Sequence, residues 1–239
     1  MSGHSKWSTI KRQKAVTDSR RSAVFTKLGR LVTVAAREGG GDPAMNFKLR
    51  LAIDKAKAAN VPNDNIDRAI KTGTGELRGD QTKEVLYEGF GPGQVAILVE
   101  AITDNPNRTA ADMRQLFQKH GGSLGSMNSV AWMFTRKGVI RVPMSLVQDR
   151  DELLLEAIDH GVDDSQESGE NLVLACPLEQ TRAVQDWLTS IGKTPVSAGP
   201  EFVPGTTITV DESTQSSLFA LFEELDEHPD VTAFFSNDV

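Results

Sequence analysis

At 239 residues, with 38% hydrophobic and 25% charged side chains, the chain has the composition of an ordinary globular protein with room for two or three small cores. No apolar run approaches the ~18 residues of a membrane-spanning helix, and Met1 to Trp7 lack the apolar stretch of a secretory signal, so a cytoplasmic protein without membrane contact is expected. Cys176, the one cysteine, excludes an internal disulfide and a cysteine-rich zinc site.

Charge is partitioned along the chain. Residues 1–75 carry 15 Lys/Arg against 6 Asp/Glu, a balance of +9, and residues 76–239 carry 11 against 27, a balance of −16. A cationic module on an anionic body points to a polyanionic partner, most often nucleic acid, met at one end because the body repels it.

The first 75 residues read as helices. Residues 20–38 place Val24, Leu28, Leu31, Val32 and Ala35 in one arc, with Arg20, Lys27, Arg30 and Arg37 roughly 120° away, so one face packs and another stays basic. Gly39, Gly40 and Gly41 end this helix. Asp42-Pro43 reads as a helix start, with Asp as cap and Pro at the first position, for a helix over 46–60. A short helix over 64–72 is closed by Gly73.

Beyond Gly75 the period changes to two. Residues 85–88 and 95–99 flank a Gly-rich turn and read as a hairpin. A helix over 107–120 follows, with Asn107 or Thr109 as its cap and Gly121-Gly122 as its stop. Strand-like 132–134 and 139–142 lead to a helix over 146–160, a strand over 171–176, a helix over 180–191 and an extended stretch over 195–202. Residues 163–171 and 198–205 are polar or rich in Gly and Pro and read as loops. Strand 207–210, helix 215–226 and strand 231–235 close the chain. Residues 132–204 alone spell a β-α-β-β-α-β order. The expected fold is therefore multidomain α+β: a basic helical bundle over 1–78, a split α+β domain over 79–131 and 205–239, and a second α/β, ferredoxin-like domain inserted over 132–204.

No catalytic constellation stands out, and no enzyme, cofactor or metal is expected. His4, His120, His160 and His228 have no metal-ligand spacing, and the last three fall near predicted helix ends as caps. Gly89, Gly91 and Gly93 sit in a hairpin, not between a strand and a helix as a phosphate loop requires. Cys176 lies in an apolar strand and reads as a core residue.

The cations carry more information. Lys6, Lys11, Arg12, Lys14, Arg20 and Arg21 cluster in sixteen positions, and Lys48, Arg50, Lys55 and Lys57 form a second set; with Lys27, Arg30 and Arg37 they are the candidate phosphate contacts. The alternative is a basic face that is merely solvated. Trp7, set among Lys6 and Lys11, either stacks on an unpaired base or anchors the amino-terminal arm. In the acidic body, Arg108 pairs with a carboxylate such as Asp104 or Asp112, or else touches a partner together with Lys119 and His120.

Gly3-His4-Ser5-Lys6-Trp7, Phe25-Thr26-Lys27-Leu28, Ala35 through Pro43, Ala52 through Asn60, Ile70 through Gly75, Tyr87 through Gly93, Thr103-Asp104-Asn105, Asn107-Arg108-Thr109, Lys119-His120-Gly121-Gly122 and Ser129-Val130-Ala131 together resemble the YebC/PmpR family. The resemblance is dense to about Ile140. It implies a helical amino-terminal domain with two α/β domains and a DNA-binding transcriptional regulator, with translation factors acting on ribosomal RNA as the alternative. The chain departs from the family pattern at Lys11-Arg12-Gln13-Lys14 and at Asp163 through Ser168. Protein partners are expected through the acidic domains.

Overall fold

The computed structural model describes residues 18–78 and 82–239, with side chains from Ala23 onward. The described residues divide into two compact units, one of residues 18–129 with 212–234, the other of residues 130–211 with 235–239.

The first unit begins with three helices, α1 (Asp18–Gly39), α2 (Phe47–Ala58) and α3 (Asn63–Gly73). Their shared core is built from Val32, Ala35, Ala36, Leu49, Ala52, Ile53, Ala56, Val61, Ile66 and Ala69, with Phe25, Leu28 and Leu31 packed beside it. Alanine at five of those ten positions lets the helix axes approach. The closest approach is at Gly73, where a Cβ would lie 2.4 Å from the Thr33 carbonyl oxygen and 2.7 Å from the Ala36 Cβ.

Asp42-Pro43 does not start α2. The Asp42 carboxylate accepts from the Ala44 amide at 2.8 Å and its carbonyl accepts from Met45 and Asn46, so these residues form a separate turn. Asn46 is the cap, accepting from the Leu49 amide at 3.0 Å. The side chain three residues before the first orphan amide that needs an acceptor wins over the Asp-Pro pair upstream.

The same unit continues with β1 (Lys83–Phe90), β2 (Ala96–Thr103), α4 (Pro106–Lys119) and β3 (Ser123–Leu124), then after the second unit's main segment with α7 (Glu212–Glu227) and β8 (Val231–Ser236). The sheet order is β3-β1-β2-β8, and β1 and β2 pair antiparallel with Tyr87 opposite Val99. β2 is buried at seven of its eight positions, as a central strand should be. Met113 and Phe117 of α4 and Leu218, Leu221, Phe222 and Leu225 of α7 supply the helical side of the core.

The second unit comprises β4 (Phe134–Pro143), α5 (Arg150–Asp159), β5 (Asp164–Ser168), β6 (Asn171–Cys176), α6 (Thr181–Ser190) and β7 (Ser197–Pro204). Its sheet order is β5-β6-β4-β7, with every neighbouring pair antiparallel. β4 and β5 are thus parallel with β6 inserted between them, the split β-α-β pattern of ferredoxin-like folds. Ile140, Val142, Leu153, Ala157, Leu172, Leu174, Cys176, Val184 and Leu188 close the core between sheet and helices.

The expected α+β class stands, and several local expectations need correction. Residues 163–171 and 198–205 are not loops: they hold the edge strands β5 and β7. An edge strand buries little and tolerates polar residues and prolines, so composition hid β5 and left β7 legible only as the extended stretch expected over 195–202. Trp132 and Met133 belong to a 3-10 turn ahead of β4. Residues 144–146 form another such turn, and α5 starts only after its cap Asp149. Of 207–210 only an isolated bridge between Ile208 and Asp238 remains.

Candidate nucleic-acid interface

Of the cations singled out from the sequence, Lys6, Lys11, Arg12 and Lys14, and with them Trp7, lie outside the described residues; Arg20 and Arg21 fall on the first turn of α1, where side chains are not described. The others are placed, and most are engaged within the chain.

On α1, residues 27, 30, 34 and 37 span roughly 80° of the helix circumference. Val34, in the middle of this stripe, is only 4% exposed although it stands outside the three-helix core. The cations around it explain why. The Lys27 ammonium donates to the Asp226 carbonyl in the last turn of α7, where orphan carbonyls favour a cation. Arg30 donates to the Asp230 carboxylate at 2.7 Å and to the Pro229 carbonyl at 3.2 Å, and Arg37 to the Thr82 carbonyl at 2.7 Å. The basic stripe therefore faces the split sheet, and the helix has two packed faces instead of one packed and one solvated.

On α2 the four cations form two flanks. Lys48 and Lys55 are seven residues apart and share one side; Arg50 and Lys57 share the other, roughly 160° around the helix. At the amino-terminal end of each flank the cation is pinned. Lys48 binds Glu38 at 2.8 Å and both oxygens of Glu84 at 2.8 and 2.9 Å. Burial acts to lower the Lys48 pKa, but the hydrogen bonds and charges of the two carboxylates outweigh it and hold the ammonium above its ordinary value. Arg50 donates back to the Pro43 and Ala44 carbonyls at 3.1 and 3.4 Å, bracing the turn before α2. Lys55 and Lys57 are exposed and make no ion pair among the described residues.

Sequence reasoning passed over Arg68, Lys71 and Arg78, which are likewise exposed and unpaired among the described residues. Asp64 and Asp67 on the same short helix balance Arg68 and Lys71, so no charge run marks them.

Asp230 is the centre of the polar contacts. It is 2% exposed and accepts from Arg30 at 2.7 Å, Thr109 Oγ1 at 2.8 Å and Arg108 at 3.3 Å. Burial acts to raise its pKa; the donors from Thr109, Arg30 and Arg108 outweigh burial and hold the carboxyl below its ordinary value. Arg108 also binds Asp104 at 2.8 Å, one of the two partners the sequence suggested; the other, Asp112, lies 3.5 Å from His228. The cap of α4 is Asn105, which accepts from the Arg108 amide at 3.2 Å, and not Asn107 or Thr109. Pro106 takes the first helical position and shifts the start one residue upstream.

Lys119 and His120 both meet Glu224 of α7, at 2.6 and 3.1 Å. The hydrogen bond from Lys119, ahead of smaller contributions from His120, holds Glu224 below its ordinary pKa. Arg108, Lys119 and His120 thus tie the two ends of α4 to the segment around α7.

In the second unit, the sheet face turned away from α5 and α6 carries Val139, Val173 and Val203, all at most 3% exposed. Arg141 and Glu201 form a two-pronged pair on that face, at 2.5 and 2.8 Å. Ferredoxin-like sheets that read single-stranded RNA do so through exposed aromatic residues on this face; aliphatic residues and an internal ion pair occupy it here. Cys176 is fully buried, and burial raises its thiol pKa. No cluster of metal-ligating side chains occurs among the described residues, and none of their helices is long and apolar enough to cross a membrane.

A compact basic helical region followed by two antiparallel α+β sheets defines the class of protein. Family profiles described as the TACO1/YebC protein N-terminal domain and the TACO1/YebC second and third domain match residues 5–76 and 82–238. The chain belongs to the TACO1/YebC family. A relative from Moorella thermoacetica, named a probable transcriptional regulatory protein, is 48% identical over 99% of this chain and 95% of its own length. One from Treponema pallidum with the same name is 47% identical over 99% and 96%. The crystal structure of a conserved hypothetical protein from Aquifex aeolicus superposes with a TM-score of 0.88 at 42% identity, covering 98% of this chain and 97% of that one.

Proposed function

We propose that the chain is a non-enzymatic, cytoplasmic regulator that binds nucleic acid through its amino-terminal helical region, with DNA as the target and transcription as the process. The observation that carries this reading is the charge partition, +9 over residues 1–75 against −16 over the remainder. A polyanion is attracted to one end and repelled by the other. The names of relatives near half identity over almost the whole chain support regulation of transcription.

Residues 1–78 form the binding domain in this reading. Residues 79–131 with 205–239, and the inserted 132–204, act as an acidic body that spaces the binding domain and offers protein-contact surfaces. The phosphate contacts come from the amino-terminal cluster Lys6, Lys11, Arg12, Lys14, Arg20 and Arg21, and from the exposed Lys55 and Lys57. Crosslinking in cells, followed by sequencing of both DNA and RNA, tests the proposal. Enrichment of promoter DNA is the expected result. Crosslinks concentrated in ribosomal RNA would move the assignment to translation, and crosslinks to neither would refute it.

A further inference from the structure

Two guanidinium groups and a hydroxyl converge on one buried oxyanion at Asp230, which is the donor arrangement that phosphates also select. The cations themselves are not deep: the Arg30 and Arg108 side chains are 29% and 50% exposed, whereas the Asp230 side chain is 3% exposed. Around this centre, α1 meets the split sheet through polar contacts. They run from Lys27 to the Asp226 carbonyl, from Arg30 to Asp230 and Pro229, from Arg37 to the Thr82 carbonyl, and from Lys48 of α2 to Glu84. Val34 is the apolar residue in the middle of that stripe. These contacts are hydrogen bonds and ion pairs, which an external anion can replace.

Separation would not strand a bare charge. Asp230 keeps Thr109 Oγ1 and Arg108, both from α4, when α1 leaves. Arg30 on α1 would then have lost its carboxylate partner and suit an external oxyanion.

We propose that Asp230 is an internal stand-in for a backbone phosphate: it holds Arg30 in the free protein, and nucleic acid displaces it by drawing α1 off the split sheet. The inference rests on the nucleic-acid reading above and adds a regulatory contact to it. The protein is thereby autoinhibited, and binding involves exchange of one anion for another at Arg30 and release of Lys27 from its helix end.

The test uses the full chain, a labelled 24-base-pair duplex DNA and an RNA hairpin of similar length, with affinities followed against KCl concentration. Asp230→Asn keeps the side-chain shape and removes the competing charge. It is expected to bind about tenfold tighter at 0.1 M salt, with the log K against log salt slope little changed, because the bound state makes the same phosphate contacts and only the competing carboxylate is gone. Arg30→Ala alone is expected to change affinity less than about twofold, because Arg30 is already occupied; combined with Asp230→Asn it should return the affinity close to that of the wild type. That loss of the gain separates the proposal from a general effect of removing one negative charge.

If Asp230→Asn loses its cooperative melting, Glu38→Gln with Glu84→Gln frees Lys48 at an exposed site. There the expectation is about threefold tighter binding and a slope steeper by roughly 0.9. A folded variant that binds no tighter than the wild type overturns the proposal, as does a gain that survives Arg30→Ala. Those results leave the nucleic-acid reading standing. No measurable binding of either probe by wild type and variants alike would sink both.

Discussion

Replacing Asn46 tests how the helical region is held together. The side chain is buried and makes three hydrogen bonds: its oxygen accepts from the Leu49 amide at 3.0 Å, and its amide nitrogen donates to the Ala35 carbonyl at 2.7 Å and the Gly40 carbonyl at 2.8 Å. One residue therefore caps α2 and fastens the end of α1 to it. Loss of the cap costs about 1 kcal/mol. The buried Ala35 carbonyl left without its donor adds about 1 kcal/mol, and the Gly40 carbonyl, which water can reach, adds less than that. Asn46→Ala is thus expected to destabilise by about 2–3 kcal/mol, and Asn46→Ser, which keeps the cap and loses both donors, by about 1–2 kcal/mol. Urea unfolding followed by circular dichroism at 222 nm, with thermal melts alongside, measures the difference. A loss below about 0.5 kcal/mol for Asn46→Ala, or a Ser variant no more stable than the Ala variant, would show that the three contacts do not act as argued.

Gly73→Ala puts a methyl group 2.4 Å from the Thr33 carbonyl oxygen, so α1 and α3 must separate; a loss of about 2–4 kcal/mol in the same unfolding experiment is expected. Gly138→Ala, whose Cβ would meet the Thr181 hydroxyl and the Cys176 sulfur, should destabilise the second unit by about 1–3 kcal/mol. Because the folded-state pKa of Asp230 is depressed, its contribution is fully present above the unfolded value of about 3.9 and is lost as pH falls through the folded value. The difference in melting temperature between wild type and Asp230→Asn should therefore shrink below about pH 4; a constant difference down to pH 2 would contradict it. His228 has the same sign for a different reason. Burial first of all disfavours its charged form, and the neutral ring accepts from the Asp230 amide, so His228 should cost stability as pH falls below about 6.5, and His228→Asn should flatten melting temperature between pH 7 and 5.

Elements with strong periodicity were legible in the sequence. The α1 arc of Val32 and Ala35, the apolar run of β2 and the continuous strand β6 announce burial because nearly every inward position is apolar. β5 was not legible, and β7 only in part, through the extended stretch expected over 195–202. Their residues, Asp164 to Ser168 and Ser197 to Pro204, satisfy backbone groups along one edge and need no apolar pattern to do so. The cap of α4 was missed by two residues because Asn105 and Asn107 are equally good acceptors, and only the position of Pro106 decides between them. At the candidate site, residue type was readable and occupancy was not. Lys27, Arg30 and Arg37 have the spacing of a solvated basic stripe; what removes them from solvent is Asp230 and the Asp226, Pro229 and Thr82 carbonyls, 45 to 200 residues away along the chain.

That distinction changes what the charge partition means. A count of +9 treats every cation as available to phosphate, but a cation already facing a carboxylate or a helix end brings few condensed counterions out of the nucleic acid unless its internal contact is broken first. Among described residues 18–78 the exposed charge outside ion pairs lies on Lys55, Lys57, Arg68, Lys71 and Arg78, whereas Lys27, Arg30, Arg37 and Lys48 hold the helical region to the sheet beside it. On the proposed reading, the first group sets the affinity of the closed protein and the second sets the gain on opening. Lys55→Ala with Lys57→Ala should accordingly make the salt slope shallower by roughly 1.8 with melting unchanged, since exposed charges contribute little to stability. Arg37→Ala should instead lower the melting temperature with the slope unchanged, because the Thr82 carbonyl loses its donor. The reverse pattern would mean that the stripe on α1 meets nucleic acid without ever having been held by the sheet.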